Sequence, residues 1–362
     1  MTEVPAHIWR PRARSLADLT ALHSPVWWHA VSETPRHVFA PEFWNLTKSP
    51  PELVTEVSPQ WLETIYSDEA LTTQLQQHPE HPELHLPTSS TTAPSLMVSM
   101  LQALELEPRH RVLELGTGTG YNAALLCVRL EESRVFSVDL DPGLVSTARA
   151  RLASIGHRPG LAVGNSIDGH PEGAPYDRVI ATHAVERVPF PWIQQTRPGG
   201  VILTDVRSSS SPGIGRIARL EVQKDKTAKG HFRHADTGGF MPTKTNADHP
   251  NTYFGLPNRD LRDANRRVTD IDVNVLNDSN FRFALWAHDP QLTISPGPEP
   301  TISTRDGSWA TTTGPGEVDV AGPVDLWAVV EKAHARWCTW GRPRVEDFTI
   351  TVTPDGQTIT IE

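Results

Sequence analysis

A chain of 362 residues is longer than most single domains, and one large core with a smaller appended unit is the natural reading. Hydrophobic residues at 38%, aromatic residues at 7% and charged residues at 21% are ordinary globular proportions and exclude disordered and fibrous classes. A formal charge of -10 without any dense block of Lys and Arg argues against nucleic acid as a main partner.

The N-terminus has no charged-then-apolar signal pattern, and nowhere do roughly eighteen apolar residues run together, so the chain reads as cytoplasmic with no membrane partner. Its two cysteines, Cys127 and Cys338, lie far apart and read as core residues rather than a disulfide framework. Residues 1–87 hold short helical patches such as Ser15–Leu22 between prolines, with Trp27, Trp28, Trp44 and Trp61 scattered among them, and read as a helical N-terminal cap. His78, His81 and His85 invite a metal reading. Pro79 and Pro82 spoil any shared helical face, so a polar loop without metal is expected.

From Pro94 the pattern becomes regular. Leu96, Met97, Met100, Leu101 and Leu104 recur at helical spacing, followed by a short buried strand at Val112–Leu115, a glycine loop and a helix from Tyr121 to Leu130. Strands at Val135–Asp139, Leu161–Val163, Arg178–Ala181 and Val201–Thr204 alternate with a helix from Pro142 to Leu152 and a helical turn near Trp192. That order predicts an α/β fold, a mostly parallel sheet covered by helices, with ligands beyond the carboxyl ends of the strands. Beyond Ser208 further strands carry Ile217 and Leu220, and no pattern is assigned between about 225 and 280. An α+β extension over 243–362 closes the chain with a helix at 323–340 and a β-hairpin at 347–361 turning on Pro354-Asp355-Gly356.

The loop Glu114-Leu-Gly116-Thr117-Gly118-Thr-Gly120 lets a ligand approach the backbone. Tyr121-Asn122 follows Gly120 where a P-loop needs Lys and Ser or Thr. The dinucleotide fingerprint would place its third glycine at Tyr121, so a dehydrogenase is disfavoured. Glu114 would repel a pyrophosphate but suits the sulfonium and ammonium of S-adenosylmethionine. Asp139, followed by Leu140 at the next strand end, is placed for ribose hydroxyls, and Asn165-Ser166 for the adenine. The predicted cofactor is therefore S-adenosyl-L-methionine, on a class I, Rossmann-like methyltransferase domain spanning 88–242.

Several segments resemble the protein-L-isoaspartate O-methyltransferases: Pro35-Arg36-His37-Val-Phe39, Val112 to Ala124, Pro175 to Ile180, Ala184 to Pro189, Arg197-Pro-Gly-Gly200 and Phe240-Met-Pro242, in the family's order. The resemblance implies transfer of a methyl group to a carboxylate of a damaged aspartate in a peptide. Two segments depart from the family's pattern. Thr92-Ala93-Pro94 stands where that family has Ser-Gln-Pro, and Gly164-Asn165-Ser166 where it has Gly-Asp-Gly. Thr92 is expected nearest the acceptor carboxylate, with Ser90 and Thr91 beside it, unless this run merely caps the following helix. His183 either lines the site or serves as its base.

Segments of the tail, Asp325 to Trp337, Gly341-Arg-Pro343 and Thr351 to Gly356, are similar to methyltransferases accompanying ATP-grasp peptide maturases. Such a tail is expected to be missing from ordinary isoaspartyl enzymes. The likeness implies methylation of an aspartate in a ribosomally made, cross-linked precursor peptide, the ester then cyclising to an aspartimide. The isoaspartyl repair enzyme is the alternative, and a non-catalytic binding protein on the same fold is the alternative of another class. On the first reading the tail and cap frame a peptide cleft with exposed tryptophans; packing of those tryptophans in the core is the competing expectation.

Overall fold

The fold comes from a computed structural model, which describes residues 4–78, 83–208, 211, 214–233, 239–244 and 264–361; His81 and the stretch 245–263 lie outside them. Helices α1 (Ala6–Ala21), α2 (Pro25–Glu33) and α3 (Arg36–Phe39) open the chain. Strands β1 (Phe43–Asn45) and β2 (Glu52–Val54), helix α4 (Trp61–Ile65), and strands β3 (Leu71–Gln77) and β4 (His85–Thr91) follow. The first 87 residues are thus not a purely helical cap. Their strands form an antiparallel sheet in the order β2-β1-β3-β4. Its longest members read Leu-Thr-Thr-Gln-Leu-Gln-Gln and His-Leu-Pro-Thr-Ser-Ser-Thr, half-buried and polar, with too little apolar alternation to announce a strand.

The central unit starts with α5 (Pro94–Ala103), where Pro94 takes a first-turn position. Strand β5 (Val112–Leu115), buried at every position, leads into α6 (Tyr121–Arg129). Then come β6 (Val135–Asp139), α7 (Pro142–Ser154), β7 (Gly160–Val163), β8 (Tyr176–Val185), α8 (Phe190–Gln195) and β9 (Thr196–Arg207). Strands β7, β6, β5, β8 and β9 are parallel neighbours. A largely apolar centre covered by helices is what a parallel sheet requires, with Glu114 and Ser137 as its buried polar exceptions.

Beyond β9 the sheet continues antiparallel through β10 (Gly215–Val222) and β11 (Ala228–Phe232). A second unit follows: β12 (Asn265–Val268), α9 (Ser279–His288), β13 (Thr293–Ser295), β14 (Thr301–Ser303), β15 (Trp309–Gly314), β16 (Glu317–Ala321) and α10 (Leu326–Thr339). Its strands form an antiparallel sheet in the order β12-β16-β15-β14-β13. The closing hairpin, β17 (Phe348–Thr353) and β18 (Gly356–Ile361), leaves that unit and pairs with β11. The hairpin and the central strands therefore form one nine-stranded sheet in the order β18-β17-β11-β10-β9-β8-β5-β6-β7. The hairpin covers what would otherwise be the open edge of β11.

Tryptophans mostly pack inward. Trp27, Trp61, Trp192, Trp327 and Trp337 are buried, and Trp337 donates its indole N–H to Pro343 O, while Trp340 is 51% exposed. Both cysteines are free, Cys127 buried and Cys338 half-buried. No described helix is long and apolar enough to cross a membrane.

Candidate active site

A cleft of about 1020 Å³, counting its open mouth, lies beyond the carboxyl ends of β5, β6 and β8. The glycine loop forms its floor. Gly116 sits at φ +98°, where a Cβ would come within 2.7 Å of Thr182 Oγ1, so only glycine fits this turn. Gly118 donates its N–H to Asp139 Oδ2 at 2.9 Å, and the amide of Asp141 donates to Asp139 Oδ1 at 3.1 Å. Asp139 thus holds the loop from the neighbouring strand end while lining the cleft.

Beneath the loop runs a buried chain. Ser137 donates to Glu114 Oε2 at 2.5 Å and Asn122 Nδ2 to Glu114 Oε1 at 2.7 Å; the hydroxyl of Thr117, 2.7 Å from Ser137 Oγ, completes the chain. Glu114 is fully buried, and desolvation pushes its carboxyl up to about 7 against the pull of its two hydrogen bonds. Its oxygens are already engaged, so it supports the loop rather than offering a free carboxylate to a ligand. Asn122 Oδ1, buried beside it, has no protein partner and lines the cleft.

The opposite wall depends on an irregularity in β8. Pairing with β9 slips between Ile180 and Ala184, a bulge that turns Thr182 and His183 toward the cleft. The strand runs on to Val185, so His183 lies within it and not past its end. Thr243 Oγ1 lies 2.6 Å from His183 Nδ1 and 2.7 Å from Ala184 O. With the hydroxyl proton assigned to the carbonyl, Nδ1 carries the ring proton and Nε2 is a bare acceptor, buried and without a protein partner. Burial pulls the ring down to about 4, so His183 is neutral near pH 7 and suits accepting a hydrogen bond better than acting as a general base.

Residues 239–244 cross this wall as a strap. Ala184 donates to Met241 O and Thr243 donates to Ala184 O, both at 2.8 Å. Asp205 anchors the strap by accepting from Gly239 and Phe240 at 3.2 and 3.3 Å. The strap brings Met241, Pro242 and Lys244 into the lining.

Across the mouth stand the hydroxyl-bearing residues of β4 and the turn after it: Thr88, Ser89, Ser90, Thr91 and Thr92. Their position is set by Arg36, fully buried in α3. Its guanidinium donates to the carbonyls of Ile65, Ser67 and Glu69 at 2.7–2.8 Å and to Thr92 O at 3.3 Å. Thr91 Oγ1 is buried and lacks a protein partner. The run is an edge strand facing the cleft, so the helix-cap reading does not describe it; the cap of α5 is Ala93 with no side-chain bond.

Of the residues expected from sequence, Ser90, Thr91, Thr92, Glu114, Gly116, Thr117, Gly118, Tyr121, Asn122, Asp139, Leu140, Ser166 and His183 line the cleft. Gly120 and Asn165 do not. Gly120 caps α6 at φ +89°, where a Cβ would meet Ala148 Cβ at 3.1 Å, and the Asn165 side chain is spent on the Ile167 amide of its own turn. Sequence reasoning missed Thr182, Met241, Lys244 and Asp141. The last caps α7 by accepting from Gly143 and Leu144, and an Asp before a Pro-led helix was the available signal. No tryptophan and no residue of 264–361 lines the cleft, so the tail does not frame it directly. The hairpin instead supports the loop after β8, through Gln357 Oε1 accepting from Val188 and Gln357 Nε2 donating to Glu186 O. Among the described residues no group of three His, Cys, Asp or Glu side chains could hold a metal.

Glu114 makes stability depend on pH. Its folded pKa lies above the ordinary carboxylate value, so its contribution is fully present below about 4.5 and is lost as pH rises through about 7. Glu114→Gln should remove this slope. Denaturant midpoints measured from pH 5 to pH 8 should show the wild type losing ground to the variant; parallel curves would count against the buried, raised carboxyl.

Comparison with known proteins gives a consistent picture. The family model for protein-L-isoaspartate(D-aspartate) O-methyltransferase matches residues 54–236. A protein-L-isoaspartate O-methyltransferase 1 of Syntrophobacter fumaroxidans is 31% identical over 176 residues, covering 48% of this chain and 77% of that protein. A protein-L-isoaspartate O-methyltransferase of Ignicoccus hospitalis is 34% identical over 131 residues, 36% of this chain and 61% of that protein. The chain spans about three fifths of the length of the first such relatives, 61% and 60%. A solved structure of a protein-L-isoaspartate O-methyltransferase shares the fold at a TM-score of 0.57 and 20% identity, covering 98% of this chain and 99% of that one. A protein of that description thus extends over the tail as well, against the expectation that isoaspartyl enzymes lack such a unit. The family match covers 183 residues, 54 through 236, just over half of the 362. The fold is that of a class I methyltransferase, and the chain belongs to the protein-L-isoaspartate(D-aspartate) O-methyltransferase family.

Proposed function

We propose that this protein transfers a methyl group from S-adenosylmethionine to the free carboxylate of an isoaspartyl residue in a peptide or protein. The observation that carries the reading is one cleft with two unlike sides: a glycine loop backed by Asp139 on one, and the hydroxyl run Ser89–Thr92 on the other. The donor side fits a cationic nucleoside. Its carboxylates are Asp139 and Asp141, and the buried acceptors Asn122 Oδ1 and His183 Nε2 await donors from a ligand. When bound, the donor supplies a methyl group on a sulfonium.

The chain's own residues then have little proton transfer to do. An aspartate-type carboxyl, with an unperturbed pKa of about 3.9, is already ionised at neutral pH, in keeping with a neutral His183. Thr92 and its neighbours orient the carboxylate by hydrogen bonding, Arg36 holds Thr92 in place, and β4 with the strap shields the cleft from water.

A second reading takes as acceptor an unmodified aspartate in a ribosomally made, cross-linked precursor peptide, whose ester then cyclises to an aspartimide. It is favoured by Thr92-Ala93 at the acceptor end, where the family pattern has Ser-Gln. Mass spectrometry after incubation with S-adenosylmethionine and each peptide separates the two. Methylation of the isoaspartyl peptide alone supports the first reading, and methylation of the precursor followed by loss of methanol supports the second. No transfer to either overturns both. Thr92→Ala should lower turnover by about tenfold, the worth of one hydrogen bond to a charged group, and leave donor affinity unchanged. Unaltered turnover would remove Thr92 from the acceptor end.

A further inference from the structure

Lys244 is the one cationic side chain among the described residues lining the cleft. It projects from the strap, half-buried, and its ammonium donates to Thr88 O at 3.3 Å. An ammonium has three N–H donors, and one carbonyl leaves it under-satisfied. The nearby carboxylates are engaged elsewhere. Asp139 accepts from the amides of Gly118 and Asp141, while Asp141 accepts from Gly143 and Leu144 with one oxygen and from Gln74 Nε2 at 3.3 Å with the other. Among the described residues neither forms a hydrogen-bonded ion pair with Lys244, and both act on it only through space. A half-buried cation in this position is a place for an incoming anion.

Two anions would enter the cleft: the carboxylate of the donor's amino-acid end and the acceptor carboxylate. The donor as a whole is a cation and gains nothing overall from a neighbouring ammonium, whereas the acceptor is an anion and must approach Asp139 and Asp141. Lys244 also touches β4 at Thr88, in the hydroxyl run, while Asp139 and Asp141 act on it through space.

We propose that Lys244 is the specificity-determining residue of the acceptor subsite, pairing with the ionised carboxylate to be methylated and rejecting the corresponding neutral carboxamide. This rests on the carboxyl-transfer reading above. Thr243, the neighbour of Lys244 on the strap, fixes the ring of His183.

The test measures binding separately from turnover. Isoaspartyl and aspartyl peptides, and the counterparts with the carboxylate replaced by carboxamide, are titrated into wild type, Lys244→Met and Lys244→Arg in the presence of S-adenosylhomocysteine. Wild type should prefer the carboxylate by about tenfold, as expected for one charge-assisted contact. Lys244→Met should lose the preference, Lys244→Arg should keep most of it, and affinity for S-adenosylhomocysteine should stay within about twofold in all three. The inference is overturned if wild type shows no preference or binds no peptide, if Lys244→Met retains the preference, or if that variant loses affinity for S-adenosylhomocysteine alone. Methyl transfer is scored in a parallel assay. Preference without transfer would defeat the carboxyl-transfer reading, and transfer without preference would defeat the role of Lys244.

Discussion

Asp139→Ala should weaken binding of S-adenosylmethionine by roughly one to two orders of magnitude, with a much smaller change in thermal stability. The side chain has two tasks in the cleft. It accepts amide hydrogens from Gly118 and Asp141, which fixes the glycine loop against the end of β6, and it lines the wall where ribose hydroxyls would sit. Each hydrogen bond to a charged group contributes about 1.5–3 kcal/mol, and every 1.4 kcal/mol is about tenfold in affinity. Burial raises the Asp139 carboxyl above its ordinary range while the Gly118 and Asp141 amides draw it down, which is how a buried carboxylate is kept available as an acceptor. Asp139→Asn retains one acceptor oxygen but places an amide group against a backbone N–H, and should fall between wild type and alanine. Calorimetric titration decides the matter, and affinity within about twofold of wild type for Asp139→Ala would sink the assignment.

How much of this was legible in the sequence follows from the range of the interactions. The glycine loop, its flanking strand and helix, and Asp139 are written locally, because the turn needs Gly116 and Gly118 at set spacings and the next strand end faces them. The bulge in β8 has no such local mark, so His183 reads as sitting past a strand when it sits in one. Glu114 reads in sequence as a ligand for the donor, but Ser137 and Asn122, from a neighbouring strand and the following helix, take up its carboxyl. Arg36 meets Thr92 across 56 positions, and Lys244 meets Thr88 across 156. Neither contact has any periodicity to betray it. The N-terminal sheet was missed for another reason: Leu71–Gln77 is rich in Thr and Gln, and tertiary pairing with β4 makes it a strand. The tail reads as helix plus hairpin, whereas it also holds α9 and a five-stranded sheet, and its hairpin belongs to the main sheet, since an alternating strand does not say whose edge it will join.

The strap that carries Thr243 and Lys244 depends on one buried carboxylate, and removing it should have the largest effect on stability. Asp205 is fully buried, and its Oδ2 receives Arg207 Nε and Nη2 at 2.9 and 2.8 Å as well as the amides of Gly239 and Phe240. Burial pushes its carboxyl up, and Arg207 followed by the strap amides pulls it back, so the pair holds the charge inside the sheet. Asp205→Ala strips Arg207, itself only 7% exposed, of this carboxylate and should cost about 3–5 kcal/mol, read from denaturant unfolding. The double variant Asp205→Ala/Arg207→Met should recover part of that loss, because both members of the buried pair are then gone. Asp205→Asn keeps the side-chain shape and one acceptor for the strap amides, so it folds more readily and isolates the functional effect. Its peptide affinity should fall by more than its affinity for S-adenosylmethionine, since the strap positions Lys244 and Thr243 while the glycine loop is held independently by Asp139. A loss below about 1 kcal/mol in Asp205→Ala, or equal losses for peptide and donor in Asp205→Asn, would show that the strap is held by something other than this carboxylate.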